Sequence, residues 1–235
     1  MNVAVVRFPG SNCDLDVVTA LRATKGLKPK LVWHENDGLE RFDALVLPGG
    51  FSFGDYLRAG AIAARSPSIV RVRRLAERGV PILGICNGFQ ILVEAGLLPG
   101  SLLRNSGLKF ICKWVTLRVE NNRTPFTRTS RRGEVLRLPI AHNEGRLFLP
   151  KDELVVLNRE RRIVFRYTNR KGEPTLLGNP NGSQENIAGI CNKDGNVLGM
   201  MPHPERAVDP ILSPEGRSDG MVIFESLAGL GRSGN

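Results

Sequence analysis

A cysteine stands between two glycines in the segment Gly84-Ile85-Cys86-Asn87-Gly88. The apolar residues 81–85 are typical of a buried strand, and residues 89–95 are typical of a helix. This G-x-C-x-G spacing between a strand and a helix is the nucleophile-elbow pattern, with cysteine in place of serine. The glycines allow the sharp, strained turn that such a nucleophile needs, and the positive end of the helix dipole favours a thiolate. Taken alone, the pattern leaves open that Cys86 is only a small buried apolar residue.

An acyl-transfer site also needs donors for the developing oxyanion. The backbone N–H of Asn87 follows the nucleophile directly and is the first candidate. A second donor is expected from the end of another strand, where the glycine turn Leu47-Pro48-Gly49-Gly50-Phe51 supplies the N–H of Gly50.

A general base is required as well, and the chain holds only three histidines. His203 follows the predicted strand 196–200 in the sequence Met-Pro-His-Pro-Glu-Arg. The flanking prolines are expected to hold this segment extended, so that Glu205 and His203 face the same side and Glu205 orients the imidazole. Cys86, His203 and Glu205 would then form a catalytic triad from separate parts of the chain. The alternative is a surface histidine beside a solvated turn.

The remaining thiols and the possible metal ligands give weaker signals. Cys13, Cys112 and Cys191 are far apart, with no C-x-x-C, which argues against a zinc knuckle and a disulfide scaffold. We interpret these three as reduced, buried, small apolar residues. The H-x-E of the 203–205 segment lacks the later P-C-x-x-C of zinc deaminases, so no metal site is predicted.

Strands and helices alternate over the first hundred residues. Strands are predicted at 3–8, 31–33, 44–47 and 81–85, and helices at 14–25, after Ser66 as N-cap with Pro67 at the first position, and at 89–95. The second helix carries arginines on its outer face. Such alternation predicts a parallel sheet covered by helices, with ligands beyond the carboxyl ends of its strands.

The pattern changes from Cys112 onward. Strands are predicted at 114–119, 135–140, 154–157 and 163–167, as antiparallel additions and returning strands. The arginine-rich residues 121–132 are expected to form an exposed loop or hairpin tip, and the last helix to run from about 217 to 228.

Composition sets the broad class. With 235 residues, 41% of them hydrophobic, the chain can bury a core as one domain, expected over residues 1–229 with a disordered tail at 230–235. We expect a soluble, cytosolic protein, since neither a leader nor an apolar run of spanning length is evident. The net charge of +10 suggests either a nucleic-acid surface or an acidic protein partner. With only two Trp and two Tyr, a single-strand binder is disfavoured, and no nucleic acid is expected as a partner.

Two motifs together resemble the class I, triad-type glutamine amidotransferases: G-I-C-N-G-F-Q at 84–90 and P-H-P-E at 202–205. Within that superfamily, four further segments resemble the glutaminase subunits of phosphoribosylformylglycinamidine synthases. They are F-P-G-S-N-C-D at 8–14, G-G-F-S-F-G-D-Y-L-R-A-G-A-I-A at 49–63, P-I-A-H-N-E-G-R at 139–146 and G-M-M-P-H-P-E-R at 199–206. The resemblance covers nearly the whole chain.

This resemblance implies a single-domain α/β fold of flavodoxin-like type, with a central, mostly parallel sheet flanked by helices and a small antiparallel addition. It implies that Cys86 attacks the carboxamide of glutamine and forms a thioester, with ammonia as the useful product. Gln90 matches a substrate-contacting position. His142, Glu144 and Gly145 would lie near the glutamine, although their segment could also be a simple turn.

The resemblance also implies partners: a large synthetase subunit that uses ATP and Mg²⁺, and a small bridging subunit of the same complex. No phosphate-binding loop or dinucleotide fingerprint occurs in this chain, so no cofactor is expected on it. Two other hypotheses remain: a triad amidotransferase that serves another acceptor, such as a nucleotide or chorismate, and a catalytically silent regulatory subunit. The intact Cys86, His203 and Glu205 argue against the silent subunit.

Overall fold

The computed structural model describes residues 1–232, which form one large mixed sheet with helices packed against it. The order of the nine strands across the sheet is β2-β1-β3-β4-β11-β10-β9-β6-β7, and β5 pairs with β8 in a separate two-stranded antiparallel sheet. The strands are β1 Asn2–Arg7, β2 Lys28–Trp33, β3 Ala44–Leu47, β4 Ile82–Ile85, β5 Ser101–Leu103, β6 Ile111–Val119, β7 Val135–His142, β8 Arg146–Phe148, β9 Ile163–Thr168, β10 Ile187–Cys191 and β11 Val197–Met200. The helices are α1 Asp14–Ala23, α2 Pro67–Glu77, α3 Asn87–Glu94, α4 Lys151–Arg159 and α5 Met221–Ala228.

The parallel part of the sheet holds its centre. Strands β2, β1, β3, β4 and β11 run parallel, and the four strands beyond β11 each run antiparallel to their neighbour. Every residue of β3, β4 and β11 is buried, as expected for strands covered on both faces. The predicted fold class, a central parallel sheet flanked by helices with antiparallel additions, is confirmed.

Helix α2 begins at Pro67, as predicted, and ends at Glu77. Its buried face includes Ile69 and Val72, while Arg74 is exposed on the opposite side. Ser66 occupies the N-cap position, but its side chain makes no capping hydrogen bond, so the expected cap is absent there. The fixed φ of proline is what starts this helix.

One predicted strand is wrong. Residues 154–157 lie inside α4 instead. Two acidic side chains, Asp152 and Glu153, occupy the first turn. Their negative charges interact favourably with the positive end of the helix dipole and so stabilise the helix. Leu157 is buried, and Leu154 packs against the core one turn earlier, so the apolar spacing serves a helix face.

The arginine-rich connection between β6 and β7 is only partly the exposed loop that its composition predicts. Its arginines are exposed, but Thr124, Phe126 and Thr127 are buried. Thr129 fastens the segment to α5 through a 2.6 Å hydrogen bond between its hydroxyl and that of Ser226. The expectation of a wholly exposed tip is therefore wrong, because apolar and hydroxyl side chains between the arginines anchor it.

The last helix begins at Met221, later than predicted. Gly220 precedes it and donates its N–H to the carbonyl of Ala207 at 2.8 Å, which ties the helix start to the turn after β11. A 3-10 turn over Gly229–Arg232 follows α5, and Leu230 packs against the core. The expected disordered tail at 230–235 thus begins inside an ordered turn, and residues 233–235 lie outside the described residues. No helix within residues 1–232 is long and apolar enough to cross a bilayer.

Candidate active site

Three neighbouring strand ends meet at the carboxyl edge of the parallel sheet. Strand β4 lies between β3 and β11, so the residues that follow these three strands converge. Gly49 and Gly50 follow β3, Cys86 follows β4, and His203 follows β11. This is the edge at which open α/β sheets place their ligands.

Cys86 sits on a strained turn. Its backbone has φ 49° and ψ −103°, a conformation that a residue with a side chain adopts only when its surroundings enforce it. Its N–H donates to the carbonyl of Met200 at 2.7 Å, so β11 holds the turn from beside. A Cβ at Gly84 would come within 2.7 Å of the backbone carbon of Gly88, and a Cβ at Gly88 would collide with the carbonyl oxygen of Leu47 in β3, so glycine is required at both positions. The glycine spacing thus serves the geometry that the sequence predicted.

His203 and Glu205 form a buried pair behind the thiol. The Nδ1 atom of the imidazole lies 2.6 Å from Oε1 of Glu205, and both side chains are almost fully shielded from solvent. The backbone between them is not the extended segment that we expected: Pro204–Arg206 forms a 3-10 turn, because the fixed φ of Pro204 suits a first helical position. The N–H of His203 donates to the carbonyl of Pro139 at 2.9 Å, which fixes the turn to β7.

The charge state of His203 is set by its neighbours. Burial disfavours the imidazolium, but the carboxylate of Glu205 and the thiols of Cys86 and Cys13 outweigh burial and hold the pKa of His203 well above its ordinary value. With Nδ1 directed at Glu205, the buried Nε2 atom has no hydrogen-bond partner within residues 1–232. An imidazole in this arrangement can exchange a proton with a thiol and with a leaving group.

Two backbone amides are available as oxyanion donors. Asn87 is the first residue of α3, so its N–H has no partner within the helix. The N–H of Gly50 makes no hydrogen bond within the described chain. The backbone of Gly50 has φ 139°, and a Cβ there would lie 2.7 Å from the backbone nitrogen of Asn12. Only glycine therefore fits between this turn and residues 10–12.

A pocket of about 230 Å³ opens beside Cys86. Its wall includes Gly50, Cys86 and three further residues predicted from the sequence, Gln90, His142 and Glu144. Asp55, which was not predicted, lines it as well. A larger cavity of about 620 Å³ lies between the end of α3 and α4, but no histidine or cysteine lines it. The smaller pocket is the candidate site because it contains Cys86, the predicted nucleophile.

Gln90 supports the wall of this pocket. Its Nε2 donates to the carbonyl of Glu144 at 2.6 Å, and its Oε1 accepts from Nδ2 of Asn87 at 2.9 Å. The amide of Asn87 in turn accepts from the N–H of Ser52 at 3.1 Å. This chain of hydrogen bonds ties α3 to the loop after β3 and to the loop after β7.

The segment 142–145 closes the other side. Nδ1 of His142 lies 3.0 Å from Oδ1 of Asn105, and burial lowers the pKa of His142 to about 3, with repulsion from His203 adding to the effect. Oε2 of Glu144 accepts from the N–H of Ala59 at 3.3 Å. A Cβ at Gly145 would collide with the ring of His142, so glycine is required there. Of the three sequence-predicted residues, His142 and Glu144 therefore line the pocket, whereas Gly145 packs against the ring of His142 without lining it.

Sequence reasoning missed Cys13. Its buried sulfur lies 3.1 Å from Nη2 of Arg206, and it is close enough to His203 to raise the pKa of the imidazole. The motif F-P-G-S-N-C-D contained this cysteine, but only the fold shows that the turn after β1 packs beside His203. Cys191 is a buried thiol with a pKa raised to about 11 by burial, as expected of an inert residue. Cys112 is exposed, so the expectation that it is buried is wrong, since β6 presents it away from the core.

Asp55 was also missed. It follows the positive-φ residues Phe53 and Gly54, and its own φ is 55°. The ring of Phe53 makes an edge contact with the ring of His34, with 5.4 Å between their centroids, and its backbone N–H donates a hydrogen bond to the carbonyl of Pro9. The motif at 49–63 contains Asp55, but its place in the pocket depends on how this loop folds against the turn after β1.

Cys13, His203 and Glu205 are the residues within 1–232 whose ligand atoms come close enough together to suggest a metal, within 4.8 Å of one another. A cation there would face the guanidinium of Arg206, which already contacts the sulfur, and would compete for the Nδ1 atom bound to Glu205. These residues fit a proton-transfer arrangement better than a metal centre.

Comparison with known proteins places this geometry in a family. Residues 1–228 match the model of the CobB/CobQ-like glutamine amidotransferase domain. Among curated relatives, the subunits PurQ of phosphoribosylformylglycinamidine synthase from Gloeobacter violaceus and Thermus thermophilus are each 56% identical, over 97% of this chain and 97% of their own length. The PurQ of Aquifex aeolicus is 52% identical over 97% of this chain and 99% of its own.

Solved structures agree. A chain of PurLQS from Thermotoga maritima superposes with a TM-score of 0.85 at 47% identity, covering 97% of this chain and 98% of that chain. A glutamine amidotransferase from the same organism, with a TM-score of 0.55 and 18% identity over 99% of this chain and 95% of its own, shares the fold alone. The strained Cys86 turn beside a buried His–Glu pair and the full-length match lead to one statement: this chain belongs to the glutamine amidotransferase family with the CobB/CobQ-like domain.

Proposed function

We propose that the chain is the glutaminase subunit of a phosphoribosylformylglycinamidine synthase, which hydrolyses L-glutamine to glutamate and ammonia. The observation that carries this proposal is the position of Cys86, on a strained turn at the end of β4, beside the buried His203–Glu205 pair at the end of β11. Relatives that are more than half identical over nearly their whole length bear the name of that subunit.

The geometry suggests how each group acts. The thiol proton of Cys86 passes to His203, the sulfur attacks the carboxamide carbon, and the N–H groups of Gly50 and Asn87 stabilise the tetrahedral oxyanion. His203 protonates the amide nitrogen, the C–N bond breaks, and ammonia leaves a glutamyl thioester on the sulfur. His203 then removes a proton from water, which attacks the thioester and releases glutamate and the thiol. Glu205 keeps the imidazole in the required tautomer and orientation.

The ammonia is delivered to a synthetase subunit. That partner uses ATP and Mg²⁺ to convert formylglycinamide ribonucleotide into formylglycinamidine ribonucleotide in purine biosynthesis, and a small bridging subunit completes the complex. A structure of PurLQS supports this assembly, since one of its chains has the present fold at 47% identity. We assign ATP and Mg²⁺ to the synthetase, not to this chain, and place the complex in the cytoplasm.

The mouth of the pocket has the character of a contact surface. Exposed apolar side chains lie on its wall or next to it in the chain: Phe51 lines the pocket and stacks on Phe110, with 6.5 Å between the ring centroids, and Tyr56 and Leu57 follow the pocket residue Asp55. Tyr56 and Leu57 are 74% and 89% exposed, respectively. Clustered apolar side chains at an open site favour a protein partner there, and ammonia made at Cys86 would pass to that partner without crossing bulk water.

Glutamine hydrolysis tests the proposal, measured for the isolated chain and for the chain mixed with its synthetase and bridging subunits. We expect weak activity alone, strong activation in the complex, and loss of both in Cys86→Ala, with no thioester trapped by hydroxylamine. Cys112→Ser is the matched control, because this thiol is exposed outside the pocket, and it should retain native turnover. Substantial hydrolysis by Cys86→Ala would overturn the mechanism. Turnover of glutamine with ammonia passed to another acceptor would overturn the assigned synthetase.

A further inference from the structure

The pocket beside Cys86 offers hydrogen-bond acceptors and negative charge. Its ionisable side chains, apart from Cys86, are Asp55, His142 and Glu144, and no Lys or Arg of residues 1–232 lines it. Glutamine carries a carboxamide at one end and an α-ammonium and an α-carboxylate at the other. The negative charge of this pocket therefore suits the α-ammonium group of glutamine and not its α-carboxylate.

The tautomer of His142 follows from its neighbours. The Nδ2 atom of Asn105 donates to the carbonyls of Lys109 and His142, both at 2.9 Å, so the Oδ1 atom of Asn105 must face the other way. That oxygen accepts from the N–H of Gly145 at 3.2 Å and lies 3.0 Å from Nδ1 of His142. Nδ1 must therefore carry the proton, and Nε2 is left as an acceptor.

This acceptor has no partner in the described chain. His142 is 3% exposed, its Nε2 atom is buried without a hydrogen bond, and its lowered pKa of about 3 keeps the ring neutral. Since His142 lines the pocket, a ligand that brings N–H groups would satisfy it. Both the carboxamide and the ammonium of glutamine bring such groups.

Two carboxylates lie on the same wall and repel one another. Burial, and then the charge of Glu144, raises the pKa of Asp55 to about 6. Oδ1 of Asp55 accepts from Nδ2 of Asn87 at 3.3 Å, and Oε2 of Glu144 accepts from the N–H of Ala59. Each carboxylate retains a second oxygen with no hydrogen bond within residues 1–232. The guanidinium of Arg58 is held by both carboxylate oxygens of Glu94 and does not line the pocket, although the charge of Glu144 contributes to its raised pKa.

The backbone holds Asp55 in place at a conformational cost. Phe53, Gly54 and Asp55 all have φ between 54° and 70°, a region that costs free energy for residues with a side chain. The hydrogen bond from Asn87 links Asp55 directly to the residue that follows the nucleophile. An acidic side chain is thus positioned at a fixed place relative to Cys86.

We propose that Asp55 and Glu144 bind the α-ammonium group of glutamine, and that Asp55 is a specificity-determining residue that rejects substrates lacking this group. The inference rests on the proposed function and deepens it. The α-carboxylate would meet no cationic side chain of this wall, so its loss should matter less than the loss of the ammonium.

Substrate analogues test this on the native complex without any mutation. Glutaramate lacks the α-ammonium and keeps the α-carboxylate, whereas 4-aminobutanamide lacks the α-carboxylate and keeps the ammonium. We expect kcat/KM for glutaramate to fall below that for 4-aminobutanamide by roughly 10- to 100-fold, as for a lost hydrogen-bonded charge pair. Preference for glutaramate over 4-aminobutanamide would overturn the proposal.

The variant Asp55→Asn provides the second measurement, with Asp194→Asn, on an exposed turn far along the chain, as matched control. In Asp55→Asn we expect KM for glutamine to rise by roughly 10-fold or more with a smaller change in kcat, and the discrimination against glutaramate to shrink. Asp55→Glu should restore part of the discrimination. Alkylation of Cys86 by iodoacetamide, which has no ammonium group, should still occur in all three variants and so report a pocket that remains open.

The outcomes separate the two proposals. An unchanged KM and unchanged rejection of glutaramate in Asp55→Asn would overturn the role of Asp55 while native glutamine turnover still supports the glutaminase. A defect in assembly with the synthetase, with native discrimination between the analogues, would assign Asp55 to the partner contact instead. If the native complex does not hydrolyse glutamine at all, the proposed function itself fails.

Discussion

Gly49 lies against the imidazole of His203, so closely that a Cβ built on the glycine would stand 2.7 Å from Cε1 of the ring. The same methyl group would lie 3.2 Å from the sulfur of Cys13. Gly49 is not one of the glycines with positive φ, so alanine would fit its backbone. The absence of a side chain at this position therefore sets the position of the ring.

We predict that Gly49→Ala displaces His203 and lowers kcat for glutamine hydrolysis by about 100-fold, the effect expected of a misplacement on the order of 1 Å. The free energy of unfolding should change by less than about 2.7 kcal/mol, the value to which a 100-fold loss of rate corresponds. Gly107→Ala is the matched control, since its Cβ would meet no atom within 4 Å and its φ is not positive. Steady-state kinetics and urea unfolding of the two variants check the prediction, and equal rates in both would contradict it.

The contact between Cys13 and His203 gives a second prediction. In Cys13→Ala the pKa of His203 should fall, because the sulfur is one of the groups that raise it. The pH profile of kcat should then shift to lower pH with little change in KM. Cys13→Ser should recover part of the native profile, and Cys112→Ala, at an exposed thiol, should leave it unchanged. A native profile for Cys13→Ala would show that the sulfur only fills space.

The raised pKa of Asp55 predicts how substrate binding depends on pH. The ordinary pKa of this carboxyl is 3.8, and in the folded chain it is about 6. The group is therefore increasingly neutral as pH falls through about 6, and a neutral carboxyl no longer attracts an ammonium. We expect KM for glutamine to rise on this acid side, while His142, with its pKa of about 3, stays neutral throughout. Kinetics across pH should show this rise in the native complex and not in Asp55→Asn.

The exposed apolar loop after Asp55 predicts where the synthetase binds. Leu57 is 89% exposed, so a charge there costs the isolated chain little but would be buried in a contact. Leu57→Asp should weaken assembly of the complex, measured by sedimentation velocity. Leu177→Asp is the control, since Leu177 is fully exposed and does not line the Cys86 pocket. Equal weakening by the two substitutions would argue against this surface.

The anchored connection between β6 and β7 gives a prediction on stability. Phe126 is fully buried, so Phe126→Ala should lower the free energy of unfolding by about 3–5 kcal/mol. Arg128→Ala, two residues later on the exposed side, should change it by less than about 0.5 kcal/mol. Urea unfolding curves measure both values. Nearly equal midpoints would mean that the connection is not part of the core.

The fold was predictable where the physics is local. The buried apolar runs around Cys86 and the glycines that flank it mark a strand, a turn and a helix, and the structure has all three. The strand predicted at residues 154–157 was wrong because a short apolar run fits either a strand or one helix face. The acidic residues before this run favour the helix. The burial of Phe126 was not predicted, because one apolar side chain within a charged segment gives no periodic signal.

The candidate site, like the fold, could be predicted only in part. Cys86 and His203 occur in short motifs whose residue types already indicate their chemistry. Asp55 and Cys13 carry no such mark, because their positions depend on the packing of the loop after β3 against the turn after β1. Long-range packing of irregular segments is not encoded in any window of sequence that a periodicity argument can use.

His203 follows β11, the last strand within residues 1–232, yet β11 lies in the interior of the sheet, between β4 and β10. A nascent chain that has already made the Cys86 turn thus has a nucleophile without its base. The backbone N–H of Cys86 also gains its acceptor, the carbonyl of Met200, only when β11 inserts. Unfinished or truncated chains should for that reason be unable to deplete the cellular glutamine pool, and appearance of glutaminase activity during refolding would time the closure of the sheet.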